Sequence, residues 1–197
     1  MGIELIKIEQ LNQLMPAAPS ATLAASIEPL NNACIEFQIN TPQRITAFLA
    51  QLAHESGELR WMNEIWGPTE AQHRYEPPSK LAARLGNTQP GDGKRYRGRG
   101  PIQLTGRANY KIAGAALALP LEDNPDLVAT PAVGIRVAGW FWHSKDLNTL
   151  ADQNNYLGIT RRINGGTNGL ADRVKYWERA KAIWRDEVKV NQDTQPK

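Results

Sequence analysis

Residues 41–57 spell out a complete helix, and no other segment constrains the fold as much. Thr41 supplies a side-chain oxygen for an N-cap, and Pro42 follows at the first helical position, where its missing N–H costs nothing. Ile45, Phe48, Leu49 and Leu52 then recur at helical spacing as one apolar stripe, and Gly57 is placed to end it. The same period appears elsewhere. Leu5, Ile8, Leu11 and Met15 read as a helix stopped by Pro16, and the Ala-rich stretch 20–39 reads as a helix pair broken or redirected at Pro29. Helical patterns resume at 107–118, 131–145, 149–163 and 170–186, punctuated by Asn124-Pro125-Asp126 and by Gly165-Gly166. These patterns predict a mainly α fold in one domain over 1–190. N-terminal helices occupy 1–40, the core spans 41–186, and the polar residues 190–197 form a frayed tail.

Residues 60–100 break the helical pattern. They are rich in Pro, Gly, Arg and aromatic residues, with short helical possibilities near 68–75 and 79–85. An irregular stretch this long in a compact domain usually carries function. Composition removes several chemistries. With 23 basic against 20 acidic residues, the formal +3 charge is too small to argue for nucleic acid. Basic residues do cluster over 94–99 and again at Arg161, Arg162, Arg173, Lys175 and Arg179, a bias that suits an anionic polymer. Cys34 is the sole cysteine, so no intrachain disulfide forms, and it reads as a buried structural thiol. His54, His73 and His143 lack the spacing of a metal site, so neither metal nor cofactor is expected. No apolar run reaches membrane-spanning length, and residues 1–7 lack the pattern of a secretory signal. The chain is therefore expected to be made in the cytoplasm and not to insert into a membrane.

Two constellations have chemical content. Glu55 ends the apolar-faced helix, with Trp61 and Trp66 shortly after it and the carboxylates Glu58, Glu64, Glu70 and Glu76 on the following segment. Glycosidic bond cleavage needs such a pair, one carboxyl to protonate the leaving oxygen and one to activate water or attack the sugar. Burial beside apolar side chains is one way for the acid to keep its proton. Carboxylate-rich loops are common, however, and each tryptophan is as apt to fill a core as to stack on a sugar. The second constellation runs from Gly98 to Gly106. Read as an extended segment, it places Gln103 and Thr105 on one face, able to hold sugar or water. Its Gly-x-Gly is not a dinucleotide loop, because the third glycine falls out of register and no Val/Ile strand precedes it.

The string Ala53-His54-Glu55-Ser56-Gly57, followed by residues 96–105 (Tyr-Arg-Gly-Arg-Gly-Pro-Ile-Gln-Leu-Thr), resembles the glycoside hydrolase family 19 domain. That family includes plant-type chitinases and the lysozyme-like endolysins of bacteriophages. The likeness continues through Asn109-Tyr110, Asn124-Pro125-Asp126-Leu127, Trp140-Phe141-Trp142, Ile163-Asn164-Gly165-Gly166 and Ala171-Asp172-Arg173, in the family's order. It implies a lysozyme-like, two-lobed α-helical fold with a central substrate cleft, and an inverting mechanism without cofactor. By motif, Glu55 matches the general acid and Thr105 the hydroxyl that helps hold the attacking water. Tyr96, Gln103, Asn109, Asn164 and Arg173 match positions that contact sugar or line the cleft. Glu64, nine residues after Glu55, matches the second acid of phage-type members, while Glu76 stands near the wider spacing of plant-type members and is the alternative base. The plant enzymes carry a further acidic residue just after Asn-Gly-Gly, where this chain has Thr167-Asn168.

Chitin and the peptidoglycan glycan strand share β-1,4-linked N-acetylhexosamines, so these residues do not separate them. The phage-like spacing favours a muramidase-type endolysin, released to the periplasm through a holin pore and acting as a monomer on peptidoglycan. A chitinase and a non-catalytic wall-binding protein are the other two readings.

Overall fold

The computed structural model describes the backbone of residues 4–193 and side chains as far as Arg185. Its centre is α3 (Pro42–Glu55). The Thr41 hydroxyl accepts from the Arg44 N–H at 3.3 Å, as the cap motif predicts. Every residue from Ile45 to Ala53 is buried, so α3 is packed all round rather than along the single stripe expected. Antiparallel to it lies α11 (Leu170–Asp193), whose first turn meets the end of α3 and whose Trp184 lies near Pro42 and Thr46. The helices α1 (Ile8–Leu14), α2 (Ser20–Glu36), α8 (Pro131–Ser144), α9 (Leu147–Asp152) and α10 (Tyr156–Asn164) close around this pair. Phe48 of α3 meets Trp142 of α8 edge-on at 5.4 Å, and Tyr156 of α10 stacks on Trp177 of α11 at 4.5 Å.

Three expectations need correction. α2 is one continuous helix through Pro29, not a broken pair. Proline leaves the Ala25 carbonyl without its helical donor, but Ala25 is exposed and water can serve it. Meanwhile Leu23, Leu30, Ala33 and Cys34 stay buried along one face. The 149–163 pattern is two helices. Asn154 takes a left-handed conformation (φ 53°), and the side chain of Asn155 caps α10 by accepting from the Gly158 N–H at 2.8 Å. The last helix runs to Asp193, past the expected start of the tail at 190, and residues 194–197 lie outside the described residues. Cys34 is fully buried, and burial pushes its thiol pKa up to about 12, which fits an inert packing residue.

The irregular stretch folds as a second lobe on α7 (Arg107–Leu117). It carries the short helices α4 (Glu70–His73), α5 (Lys80–Leu85) and α6 (Asp92–Arg95). Polar bonds hold it more than apolar packing does. The buried Asp92 carboxylate accepts from the Thr88 and Gln89 N–H groups and pairs with Arg107 through two bonds of 2.7 and 3.0 Å. Arg99, 2% exposed, pairs with Asp126 at 2.7 Å and donates to the Arg95 carbonyl and the Tyr110 hydroxyl. Among the described residues no helix is long and apolar enough to cross a membrane.

Two stability predictions follow from this packing. A Cβ on Gly139 of α8 would sit 2.4 Å from the Phe37 ring, so Gly139→Ala should cost about 1–3 kcal/mol in chemical denaturation. An unchanged midpoint would mean that α2 and α8 are not this close. For Asp92, burial alone would raise the carboxyl, but the Arg107 bonds, the Gln89 and Thr88 N–H groups and the Arg107 charge bring it below its ordinary 3.8. A carboxylate held below its unfolded value stabilises above that value, and the contribution is lost as pH falls through the folded one. Asp92→Asn should therefore melt lower than the parent at pH 6, by about 1–3 kcal/mol of stability, with the gap closing below pH ~4.

Candidate active site

Glu55 is the last residue of α3, and the chain leaves the helix there by a rare route. Gly57, Glu58 and Leu59 all have φ between 56° and 64°, three successive left-handed residues. For the two that are not glycine this costs roughly 1–2 kcal/mol each, so the turn persists only because it is tied down. The Glu58 carboxylate accepts from the Ala17 N–H at 2.6 Å and the Tyr176 hydroxyl at 2.9 Å, while Leu59 is buried. The Ser56 hydroxyl donates to the Leu52 carbonyl and accepts from the Leu59 N–H. The outcome is a fixed orientation for Glu55 at the wall of a cleft of about 570 Å³ between the two lobes.

Two adjacent pairs of residues bind the ends of α3 and α11 together. His54 meets Asp172 at 2.6 Å, and Glu55 meets Arg173 at 2.5 Å. Arg173 is buried, and its guanidinium also bonds the Gln51 side-chain oxygen and approaches the Asn168 carbonyl at 3.4 Å. Gln51 lies one helical turn before Glu55, on the same face. The Tyr156 hydroxyl completes the buried cluster. Burial pushes its pKa well up, against the Arg173 charge and Gln51, which pull it down.

Across the cleft, residues 98–105 form a tight turn rather than the extended segment expected. The Arg99 and Leu104 backbones exchange two hydrogen bonds of 2.9 and 3.2 Å, and Gln103 is left-handed at φ 53°. The side-by-side placement of Gln103 and Thr105 thus comes from a loop, not from strand alternation. Glu64 lies on a short segment paired to this turn. Its backbone N–H donates to the Gly98 carbonyl at 2.8 Å, and its carboxylate accepts from the Gly98 N–H at 2.9 Å and the Gln72 amide at 3.0 Å. A Cβ on Gly98 would lie 2.7 Å from Gln103 Oε1 and 3.3 Å from both Glu64 Oε2 and Thr105 Oγ1, so a side chain there would displace Gln103. A carboxylate, a hydroxyl and an amide oxygen therefore converge on one point. Tyr75 registers the same carboxylate, since its pKa is raised first by burial and then by the Glu64 charge.

Of the residues singled out in the sequence, Glu55, Gln103, Thr105, Asn109, Asn164 and Arg173 all line this one cleft. Several are also committed to structure. The Gln103 amide donates to the Trp61 and Gly100 carbonyls, and Asn109 donates to the Thr105 carbonyl. Asn164 bonds the Asn168 carbonyl and the Gly166 N–H, so both ends of its amide brace the turn after α10. Three residues do not line the cleft: Glu64, whose carboxylate lies beside Gln103 and Thr105 at Gly98, Tyr96 and Glu76. Tyr96 is 1% exposed, with its hydroxyl on the Glu122 carbonyl and its ring against Tyr110, which makes it a core residue rather than a sugar contact. The Glu76 carboxylate accepts from the Gly91 and Lys94 N–H groups and packs on Gly93, as a clamp on that loop. Gln51 and the His54–Asp172 pair were missed from sequence, although a polar residue one turn before Glu55 on a buried helix was a usable signal. Among the described residues no group of His, Cys, Asp and Glu could hold a metal ion.

Comparison with known proteins agrees with this arrangement. The family model described as chitinase class I matches residues 24–179. An Arabidopsis thaliana endochitinase is 44% identical over 125 residues, covering 63% of this chain and 40% of its own length. A Haemophilus influenzae glycosyl hydrolase family 19 domain-containing protein is 34% identical over 153 residues, covering 66% of this chain and 74% of its own. The chain thus spans less than half of that Arabidopsis relative. Chitinase C from Streptomyces griseus superposes with a TM-score of 0.73 at 27% identity, over 93% of this chain and 78% of that one. The fold is accordingly the lysozyme-like all-α fold, and with its family match extending over most of the described residues the chain belongs to glycoside hydrolase family 19.

Proposed function

We propose that the chain hydrolyses β-1,4 linkages between N-acetylhexosamines with inversion, and that its substrate is the glycan strand of bacterial peptidoglycan, cut as a muramidase. The observation that carries the hydrolytic reading is that Glu64 Oε2 and Thr105 Oγ1 each lie 3.3 Å from where a Cβ on Gly98 would sit, while Thr105 and Glu55 line the same cleft. In this reading Glu55 gives its proton to the glycosidic oxygen. Glu64 accepts a proton from a water steadied by the Thr105 hydroxyl, and that water attacks the opposite face of the sugar. Arg173 holds the Glu55 carboxylate against the α11 wall, so that its orientation is set before the strand binds. Half-buried Trp140 and Phe141 give the cleft apolar faces suited to sugar rings.

Chitin is the second reading, supported by the names of the relatives, which are endochitinases and chitinases. Peptidoglycan is favoured by positive charge at the cleft lip, which a neutral polymer does not use. Stripped Gram-negative sacculi and glycol chitin, assayed side by side with mass analysis of the fragments, decide between them. Muropeptides ending in reducing N-acetylmuramic acid establish a muramidase, and cleavage of chitin alone establishes a chitinase. Binding to either polymer without release of reducing ends would leave a non-catalytic wall-binding protein.

Removal of either carboxyl tests the mechanism. Glu55→Gln and Glu64→Gln should each lower kcat by about 10²–10⁴-fold on whichever polymer is cut, with folding intact. Glu76→Gln should instead lower the melting temperature and leave kcat within a few-fold of the parent. Loss of turnover in Glu76→Gln with full activity in Glu64→Gln would reverse the assignment of the base.

A further inference from the structure

One part of the cleft wall carries charge that the acid–base chemistry does not use. Lys145 follows the last residue of α8 and lines the cleft, its ammonium 5.8 Å from the Phe141 ring. Arg162, in the last turn of α10, donates from Nη1 to the Lys145 carbonyl at 3.1 Å, which brings a guanidinium to the same lip. Both side chains are exposed, and among the described residues neither has a carboxylate within ion-pair distance. The nearest acid in sequence is engaged elsewhere, since Asp146 accepts from the Thr149 hydroxyl at 2.7 Å.

Two other guanidiniums already have carboxylate partners. Arg173 holds Glu55, and Arg99 holds Asp126. Basic residues at helix C-termini are often there to meet the helix dipole, and the bond from Arg162 to a terminal carbonyl of α8 is of that kind. That accounts for one donor of Arg162. It does not account for the remaining guanidinium donors, nor for an ammonium on the wall of the cleft itself.

Chitin presents only neutral N-acetylglucosamine to such a wall. On a peptidoglycan strand, alternate sugars carry a lactyl group that leads into a peptide with free carboxylates. We propose that Lys145 and Arg162 form a specificity-determining site that takes the carboxylates of this lactyl-peptide substituent while the glycan lies in the cleft. The proposal rests on the hydrolytic reading above and adds the element that separates the two polymers. Charge pairing at an exposed lip is modest and screened by salt. Its signature is therefore a salt-dependent preference among substrates, not a change in the chemical step.

The test uses the Glu55→Gln chain, which should hold the strand without cutting it, with and without Lys145→Gln and Arg162→Gln together. Binding to purified sacculi, by co-sedimentation, and to the N-acetylglucosamine hexamer, by calorimetry, is measured across a NaCl series. The ratio of the two affinities should fall about five- to tenfold at low salt in the doubly neutralised chain, the worth of two exposed pairs, and the difference should vanish near roughly 0.5 M NaCl. A ratio that does not move, or an equal loss on both ligands at every salt concentration, overturns the proposal. Sacculi whose peptide carboxylates are capped as amides by carbodiimide and ammonia keep the glycan and lose the charge. The salt effect should vanish on them, and one that persists overturns the proposal. Reducing ends released from sacculi by the parent chain report separately on the hydrolytic reading. Cutting with an unmoved ratio defeats the Lys145–Arg162 site alone, whereas binding without cutting defeats the hydrolytic reading and leaves the salt comparison to decide the site.

Discussion

The bond between Arg173 and Glu55 is the contact on which the arrangement of the site depends. It joins the last residue of a helix packed on every side to the first turn of the longest helix, and it does so with a buried guanidinium. A buried cation stabilises little by itself, because desolvation offsets most of the attraction. Its value here is geometric. The guanidinium's planar fork reaches Gln51, Glu55 and the Asn168 carbonyl at once, so one side chain fixes Glu55, the helix turn before it and the loop after Asn164. A lysine would keep the charge and lose that three-way reach.

The two lobes are stabilised by different means, and the site uses the difference. The proposed acid, Glu55, belongs to the helical lobe, where apolar burial packs α3 on every side. The proposed base belongs to the other lobe, where Asp92, Glu76 and Arg99 satisfy backbone groups that no regular element pairs. Polar networks of this kind favour one geometry because leaving a member unpaired is costly, although Arg99 Nε is itself buried without a partner. That is how a stretch with only short helices can hold Glu64 and Thr105 around a single glycine.

Much of the fold was legible in the sequence because its signals are local. The Thr41-Pro42 cap, the apolar period of α3 and the motif order require no knowledge of distant contacts. The errors share a cause as well. Pro29 reads as a helix break unless one knows that the carbonyl it orphans faces water. The split at Asn154-Asn155 depends on a left-handed asparagine that periodicity does not register. Gln103 and Thr105 were placed together correctly but for the wrong reason, since two glycines and a left-handed glutamine make a turn where alternation suggested a strand. Tyr96 and Glu76 had the right chemistry for a site, and only tertiary packing shows that both are spent on structure.

The position after Asn164-Gly165-Gly166 shows how the charge of the cleft is set. The family likeness implies an acidic residue there in plant-type members. Here Thr167-Asn168 supplies only the Asn168 backbone carbonyl, which approaches Arg173 Nε at 3.4 Å and accepts from the Asn164 amide at 3.0 Å. A carbonyl satisfies a donor without adding negative charge. The loop geometry is thus preserved while Glu55 remains the only carboxylate on Arg173, and the lip formed by Lys145 and Arg162 keeps its positive field. The uncharged Thr167-Asn168 step and those two cations act in the same direction. Both leave positive charge at the cleft, on which the proposed preference for a strand with its own carboxylates rests.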